Sequence, residues 1–161
     1  MSKKRLIFGI ICTTIYIITL VMIVCYSFEN GNKSIESSSG ITNVVGSVVE
    51  TIAPYKVDTG KPEFASLIRK LFGHFGLFAI NCFFGVFGLY LLVSKKWLSI
   101  IIVASIGIAL SVATEFFQIL AGDRKFSVND MFINSGGCLF GLIIAYLPIY
   151  IYNKKCSILV K

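Results

Sequence analysis

The sequence predicts an all-α, polytopic membrane protein with four transmembrane helices and an extracytoplasmic helical cap between the first two. Four apolar blocks each exceed the roughly 18 residues that indicate a spanning helix. The composition is 56% hydrophobic, with a mean hydropathy of +0.84. The cations are also divided unevenly among the segments that join the blocks. A chain of this length is expected to form one domain, and we assign residues 1–161 to a single membrane domain.

The predicted spans are residues 6–25, 73–93, 97–120 and 131–152. The first carries no charged side chain and is not followed by the small-residue cleavage site of a signal peptide, so we interpret it as an uncleaved anchor. The second contains His74 as its ionisable residue and the third contains Glu115, whereas the fourth has no charge but includes Asn134. Polar side chains at membrane depth are costly and usually functional or paired with one another.

The charge distribution predicts the orientation in the membrane. The N-terminus, the link between the second and third spans and the C-terminus have no acidic residue, and they contain Lys3, Lys4, Arg5, Lys95, Lys96, Lys154, Lys155 and Lys161. The two other connections and the span ends beside them contain all of the Asp and Glu residues. The positive-inside rule therefore predicts a plasma-membrane protein with both termini in the cytoplasm. Topology accounts for the net charge of +7, and no nucleic-acid partner is expected.

The long external loop, residues 27–72, contains two predicted helical segments. Its first part, residues 27–40, is rich in Ser, Asn and Gly and predicts a flexible polar stretch. Apolar residues at helical spacing then predict an amphipathic helix over residues 42–53 that ends before Pro54. A second segment begins at Pro62 and is expected to run into the second span. Either the two segments cap the bundle, or they form a lid over a site near the lipid head groups.

Polar side chains at helical spacing form stripes at the outer ends of three predicted spans. Small and apolar residues continue some of these stripes. The stripes are Lys70, His74, Leu77 and Asn81 on the second span, Ser111, Glu115 and Gln118 on the third, and Asp130, Asn134, Gly137 and Gly141 on the fourth. A carboxylate that faces lipid costs about 2.5–3.5 kcal/mol, so these stripes are expected to face one another. The Gly137-x-x-x-Gly141 spacing predicts that the fourth span approaches another helix closely.

The order and spacing of these residues form a pattern that covers nearly the whole chain. Its parts are Tyr26-Ser27-Phe28, Lys70-x-x-x-His74-Phe75, Glu115-x-x-Gln118, Arg124 and Asp130-x-x-x-Asn134-x-x-Gly137-x-x-x-Gly141. The pattern resembles the VanZ-like membrane proteins. This resemblance implies an association with resistance to the glycopeptide antibiotic teicoplanin, and it implies no particular reaction.

The candidate ligand-binding residues are Lys70, His74, Glu115, Gln118, Arg124, Asp130 and Asn134. Arg124 suits a phosphate or carboxylate ligand because its planar guanidinium group can donate two parallel hydrogen bonds. In the structural alternative, Arg124 forms an ion pair with Asp123 or Glu115. His74, Glu115 and Asp130 are also candidates for proton transfer. Each also has a structural alternative. His74 could be a helix-end histidine bonded to a carboxylate, Glu115 could belong to an ion pair, and Asp130 could be the N-cap of the fourth span. Asn134 and Gln118 are expected to bond each other.

Several functions stay open at this point. The chain could bind an amphiphile in the outer leaflet, either a lipoglycopeptide or a lipid-linked cell-wall precursor, and so contribute to teicoplanin-type resistance. It could instead be an intramembrane enzyme acting on a lipid-linked phosphate or sugar, or an accessory subunit of a membrane complex. His74, Glu115 and Asp130 are possible metal ligands, but no metal-binding motif is present, and we assign no metal or cofactor. Besides the lipid bilayer, the sequence indicates no definite partner and no oligomeric state.

Overall fold

A computed structural model describes residues 2–28, 31–52, 59, 61–120 and 126–159, and in these ranges it is helical apart from short connections. The helices are α1 (Lys3–Ser27), α2 (Gly31–Ile52), α3 (Pro62–Arg69), α4 (Leu77–Val93), α5 (Lys96–Leu120) and α6 (Val128–Leu159), and a π-helix, Lys70–Gly76, joins α3 to α4. Within the described ranges, four segments are long and apolar enough to cross a membrane: Lys3–Ser27, Pro62–Val93, Lys96–Leu120 and Val128–Ile151. The predicted fold class is therefore confirmed.

Helix α4 lies at the centre of the bundle and packs against α1, α5 and α6. Its contact with α1 depends on small residues, since a Cβ atom added at Gly88 would lie 2.7 Å from the Thr13 hydroxyl oxygen. The buried apolar core includes Tyr16 of α1, Val86 of α4 and Val103 of α5. The outward faces of the spanning helices remain apolar and exposed, as expected of surfaces that contact lipid.

The first half of α6 packs directly on the backbone of the second spanning segment. A Cβ atom added at Gly137 would lie 2.2 Å from the Phe75 carbonyl oxygen, and one added at Gly141 would lie 2.2 Å from the Ala79 carbonyl oxygen. Only glycine allows this approach, so the close packing predicted from the Gly137-x-x-x-Gly141 spacing is confirmed. This contact sets the distance between the polar side chains of the π-helix and those of α6.

The segment between the first two spans differs from the sequence prediction at its start. Helix α2 begins at Gly31, so the prediction of a flexible stretch is wrong for residues 31–40. Ser and Gly weaken a helix by about 1 kcal/mol or less each, and packing can offset that cost. Helix α2 packs on α3, and near Gly46 the two helices are close enough that an added Cβ atom would lie 3.8 Å from the Phe64 ring. The end of α2 at Ile52 matches the predicted amphipathic helix, and the predicted stop at residues 53–54 lies outside the described residues.

Helix α3 begins with Pro62 at its first position and continues into the second span, as predicted. The π-helix between them was not predicted. Its i→i+5 hydrogen bonding turns the chain more slowly than an α-helix and shifts the register of the residues that follow. Asn81 consequently faces α1, where its side-chain amide donates to the Tyr16 carbonyl oxygen at 2.9 Å and to the Thr19 hydroxyl oxygen at 2.8 Å. The prediction that Asn81 shares a stripe with Lys70 and His74 is wrong.

Candidate functional site

An ion pair joins the π-helix to the first turn of α6. Lys70 Nζ lies 2.9 Å from Asp130 Oδ1, and the two side chains are 34% and 14% exposed, respectively. Lys70 is the first residue of the π-helix, and exposed Leu71 and Phe72 follow it directly. A negatively charged group arriving from outside the bundle can therefore reach Lys70 while apolar parts of the same molecule contact its neighbours.

The N-terminus of α6 is capped by Ser127. The Asp130 backbone N–H donates to the Ser127 hydroxyl oxygen at 3.2 Å. Asp130 is the third residue of the helix, where a carboxylate is favoured by the helix dipole, and it is not the N-cap. The structural alternative that made Asp130 the N-cap is wrong, and its carboxylate is engaged by Lys70 instead.

Glu115 connects α5 to the start of α6. Its side chain is fully buried, and its Oε2 atom accepts the Ser127 backbone N–H at 3.0 Å. In a capping box, this acceptor would be the side chain at the third position of the same helix. Here a residue from the preceding spanning helix supplies it, so the carboxylate of Glu115 holds the α5–α6 connection against the bundle.

Arg124, a predicted ligand-binding residue, lies outside the described residues, as does the rest of the 121–125 connection. The pairing of Arg124 with Asp123 or Glu115 therefore stays a prediction. So does its suitability for an anion.

A chain of hydrogen bonds links the π-helix, α6 and α5. His74 Nδ1 and Asn134 Oδ1 are 3.1 Å apart, and Asn134 Nδ2 donates to the Thr114 hydroxyl oxygen at 3.3 Å. The Thr114 hydroxyl in turn donates to the Ser111 carbonyl oxygen at 3.0 Å. Because that hydroxyl proton is already used, the Thr114 oxygen accepts from the Asn134 amide nitrogen, which turns the Asn134 oxygen towards His74. The proton of neutral His74 is then on Nδ1, and Nε2 carries the lone pair.

Gln118 lies on the buried face of α5, three residues after Glu115, and is only 5% exposed. The predicted bond between Gln118 and Asn134 is wrong, because the hydrogen bonds of the Asn134 amide go to His74 and Thr114. Both Gln118 and the fully buried Asn134 are nonetheless at the same end of the bundle as Lys70.

The sequence interpretation missed three hydroxyl side chains that belong to this network: Thr114, Ser127 and Ser135. The Ser111 and Ser135 hydroxyl oxygens are 2.9 Å apart and add a second link between α5 and α6. The Ser127-x-x-Asp130 spacing was a recognisable N-terminal helix signal for one of them. Thr114 and Ser135 have no such signal, because hydroxyl groups are common within membrane helices.

We define the polar cluster as Lys70, His74, Thr114, Glu115, Ser127, Asp130 and Asn134. It contains one partly exposed ion pair, one oriented histidine and one buried carboxylate. Such a set can bind an anionic or hydroxyl-bearing group, and His74 can exchange a proton. Among the described residues, His74, Glu115 and Asp130 do not form a metal-binding group with one another or with other His, Cys, Asp or Glu side chains.

Comparison with known proteins gave one family match. A family model described as VanZ/LLP1 matches residues 13–150, a range that includes every residue of the polar cluster. No match was found among curated proteins or among solved structures.

Proposed function

Since this chain belongs to the VanZ/LLP1 family of membrane proteins, we propose that it binds the polar head of an amphiphile at the outer membrane surface. The amphiphile is a lipoglycopeptide or a lipid-linked cell-wall precursor, and binding it contributes to teicoplanin-type resistance. The family match supports a multi-pass membrane protein of this type, and the polar cluster supports the binding role.

One observation carries the proposal: three spanning segments bring their polar side chains together at one end of the bundle. Lys70 meets Asp130, and His74 meets Asn134, between the second spanning segment and α6. Glu115 of α5 reaches the start of α6. Burying polar side chains in a membrane protein is unfavourable unless they are paired with one another. In this arrangement Lys70 and Asp130 lie at the edge of the polar cluster, where a ligand can reach them.

The surroundings of the ion pair favour an amphiphile. Lys70 can bind a phosphate or carboxylate, and Asp130 beside it can accept from a hydroxyl or ammonium group of the same ligand. Leu71 and Phe72 are 50% and 45% exposed, and Phe132 near the start of α6 is 66% exposed. An acyl chain can lie against these apolar side chains while the head group contacts the ion pair, so each half of the ligand meets matching chemistry.

The charge distribution supports an external location for the polar cluster. Described cations such as Lys4 and Lys95 lie at the opposite end of the bundle from Asp130. Under the positive-inside rule the lysine-rich end faces the cytoplasm, with both termini, and the polar cluster faces the outside, where both ligand classes occur.

The histidine geometry supports a second candidate, an intramembrane enzyme that acts on a lipid-linked phosphate or sugar. Asn134 orients the imidazole of His74 through Nδ1, and an oriented histidine is the side chain that most often transfers protons in enzymes. In this role Lys70 would bind the phosphate, and Glu115 or Asp130 would take part in proton transfer.

The test compares resistance with binding in a susceptible Gram-positive strain that expresses the chain. Lys70→Gln, His74→Gln and Glu115→Gln are compared with Lys61→Gln, which removes an exposed external cation outside the polar cluster. The measurements are membrane abundance, teicoplanin tolerance, and binding of a fluorescent lipoglycopeptide and of a lipid-linked precursor to the purified protein.

For the binding role we expect Lys70→Gln to lose tolerance and binding together, with Lys61→Gln unchanged. If His74→Gln loses tolerance but keeps binding, the enzymatic role is favoured. Unchanged tolerance for all three cluster variants, in a strain where the natural chain protects, would contradict both roles.

A further inference from the structure

The opposite end of the bundle carries a concentration of positive charge in segments that contain no acidic side chain. This end is formed by the start of α1, the α4–α5 link and the last turns of α6. Residues 1–28, 64–114 and 131–161, which supply it, contain no Asp or Glu. Lysines at this end therefore have no acidic side chain within their own segments to pair with.

Arg5 joins the start of α1 to the end of α4. Its guanidinium group donates to the Leu91 carbonyl oxygen at 2.9 Å, to the Tyr90 carbonyl oxygen at 3.2 Å and to the Ser94 hydroxyl oxygen at 2.8 Å. The charge of Arg5 is thus used to satisfy the last carbonyl groups of α4. The same contacts bring the start of α1, with exposed Lys3 and Lys4 just before Arg5, to Ser94, which exposed Lys95 follows directly in the chain.

Aromatic rings hold a further lysine at the same level. Lys96 Nζ lies 5.0 Å from the centre of the Trp97 ring and 5.0 Å from the centre of the Tyr146 ring. Tyr150 stacks on Tyr146, and Trp97 is 64% exposed. Exposed Trp and Tyr side chains mark the level of the lipid head groups in membrane helices. Lys96 and its neighbours therefore lie at the depth of the lipid phosphates.

We propose that this end, defined by Lys3, Lys4, Lys95, Lys96, Trp97 and Tyr146, is a binding site for the phosphate group of an anionic glycerophospholipid. Three exposed lysines surround the phosphate, and Lys96 is positioned by the two rings beside it. The site is separate from the polar cluster and does not depend on the function proposed for that cluster.

The apolar surface below the lysines distinguishes a lipid from a free phosphate or another soluble anion. Leu98 and Ile101, in the first turns of α5, are 43% and 60% exposed. An acyl chain can follow this side of α5 while its phosphate contacts the lysines. A soluble anion would contact the lysines but not this apolar surface. A zwitterionic lipid also carries a positive group beside its phosphate, and the excess positive charge of the lysines would repel that group.

The test uses Trp97, which is the only tryptophan in the chain and lies within the proposed site. The whole protein is reconstituted in vesicles of phosphatidylcholine that contain brominated phosphatidylglycerol or, in parallel, brominated phosphatidylcholine. Bromine quenches tryptophan fluorescence at short range, so the quenching reports which lipid lies next to Trp97. Lipids are present in both leaflets, and the result does not depend on the orientation of the protein.

We expect phosphatidylglycerol to quench Trp97 more than phosphatidylcholine, with the preference falling as salt is raised. Replacing Lys3, Lys4 and Lys95 by glutamine should lower the relative affinity for phosphatidylglycerol by about five-fold for each lysine. Lys61→Gln, at the other end of the molecule, should leave the preference unchanged.

Equal quenching by the two brominated lipids in the natural sequence would overturn the proposal, and that measurement needs no variant to fold. A preference that survives in the triple lysine variant would also overturn it. Loss of the preference on adding inorganic phosphate at constant ionic strength would show a site for soluble phosphate, which likewise contradicts a lipid site.

Discussion

The contact between Gly137 and the π-helix predicts a large difference between two neighbouring substitutions. An alanine at Gly137 would place its Cβ atom 2.2 Å from the Phe75 carbonyl oxygen. That oxygen belongs to the backbone, so no side chain can rotate away, and the two segments must separate by about 1 Å to reach ordinary contact. Overpacking of this kind costs about 1–3 kcal/mol.

The same displacement should reach the polar cluster. His74 precedes Phe75 in the chain, and Asn134 lies one helical turn before Gly137. Their atoms are 3.1 Å apart, so a separation of about 1 Å removes this hydrogen bond. We therefore expect Gly137→Ala to lower both the free energy of unfolding and the ligand binding that we propose for the polar cluster.

Gly136→Ala is the matched control, because its Cβ atom would lie 3.8 Å from the Phe75 ring, at an ordinary contact distance. The two variants gain the same methyl group in adjacent helical positions, so differences in helix propensity largely cancel. Reversible unfolding in mixed micelles measures the free energy difference, and teicoplanin tolerance tests the function that we propose for the polar cluster. Equal stability of the two variants would refute the close backbone approach.

Three further changes test individual contacts. Glu115→Ala should lower the free energy of unfolding by about 1–3 kcal/mol and speed hydrogen exchange at the Ser127 amide. Glu115→Gln keeps an acceptor and should protect that amide. Equal exchange in the two variants would contradict the contact between Glu115 and Ser127. Asn81→Leu should weaken α1–α4 packing by about 1 kcal/mol in unfolding measurements while tolerance stays unchanged, and lost tolerance at normal abundance would place Asn81 in the site after all. Arg5→Lys should speed amide exchange in the last turn of α4, since lysine cannot reproduce the guanidinium bonds to two carbonyl groups and Ser94; unchanged exchange would argue against this cap.

Local patterns were reliable wherever one physical requirement dominates. The length of the apolar blocks predicted the spans, because a helix must cross the hydrocarbon layer with its backbone bonds satisfied. Pro62 correctly marked the start of α3, and the glycine spacing correctly predicted the close approach of α6. The polar stripes correctly predicted that Lys70, His74, Asp130 and Asn134 meet at one end of the bundle, although not which of them pair.

Predictions of individual partners were less successful, because a partner depends on the register between segments. Periodicity assumed an ordinary α-helix through Lys70–Gly76, and the π-helix there moved Asn81 to face α1. Asn134 was paired with Gln118 by residue type alone, although His74 and Thr114 lie within reach of its amide. Hydroxyl groups such as Thr114 gave no signal, since they fit any membrane helix.

The sequence by itself determined that this is a four-span helical membrane protein whose acidic residues all lie in or beside two of its connections, which leaves an excess of cations in the remaining segments. Hydrophobic length and net charge decide those properties segment by segment, and neither depends on which helices touch. Only the tertiary structure decided which polar groups meet. Gly137 and Gly141 bring α6 onto the backbone of the second spanning segment, and the π-helix turns Lys70 and His74 towards Asp130 and Asn134. A hydrogen bond depends on tenths of an ångström between segments far apart in the chain, and helix packing sets those distances.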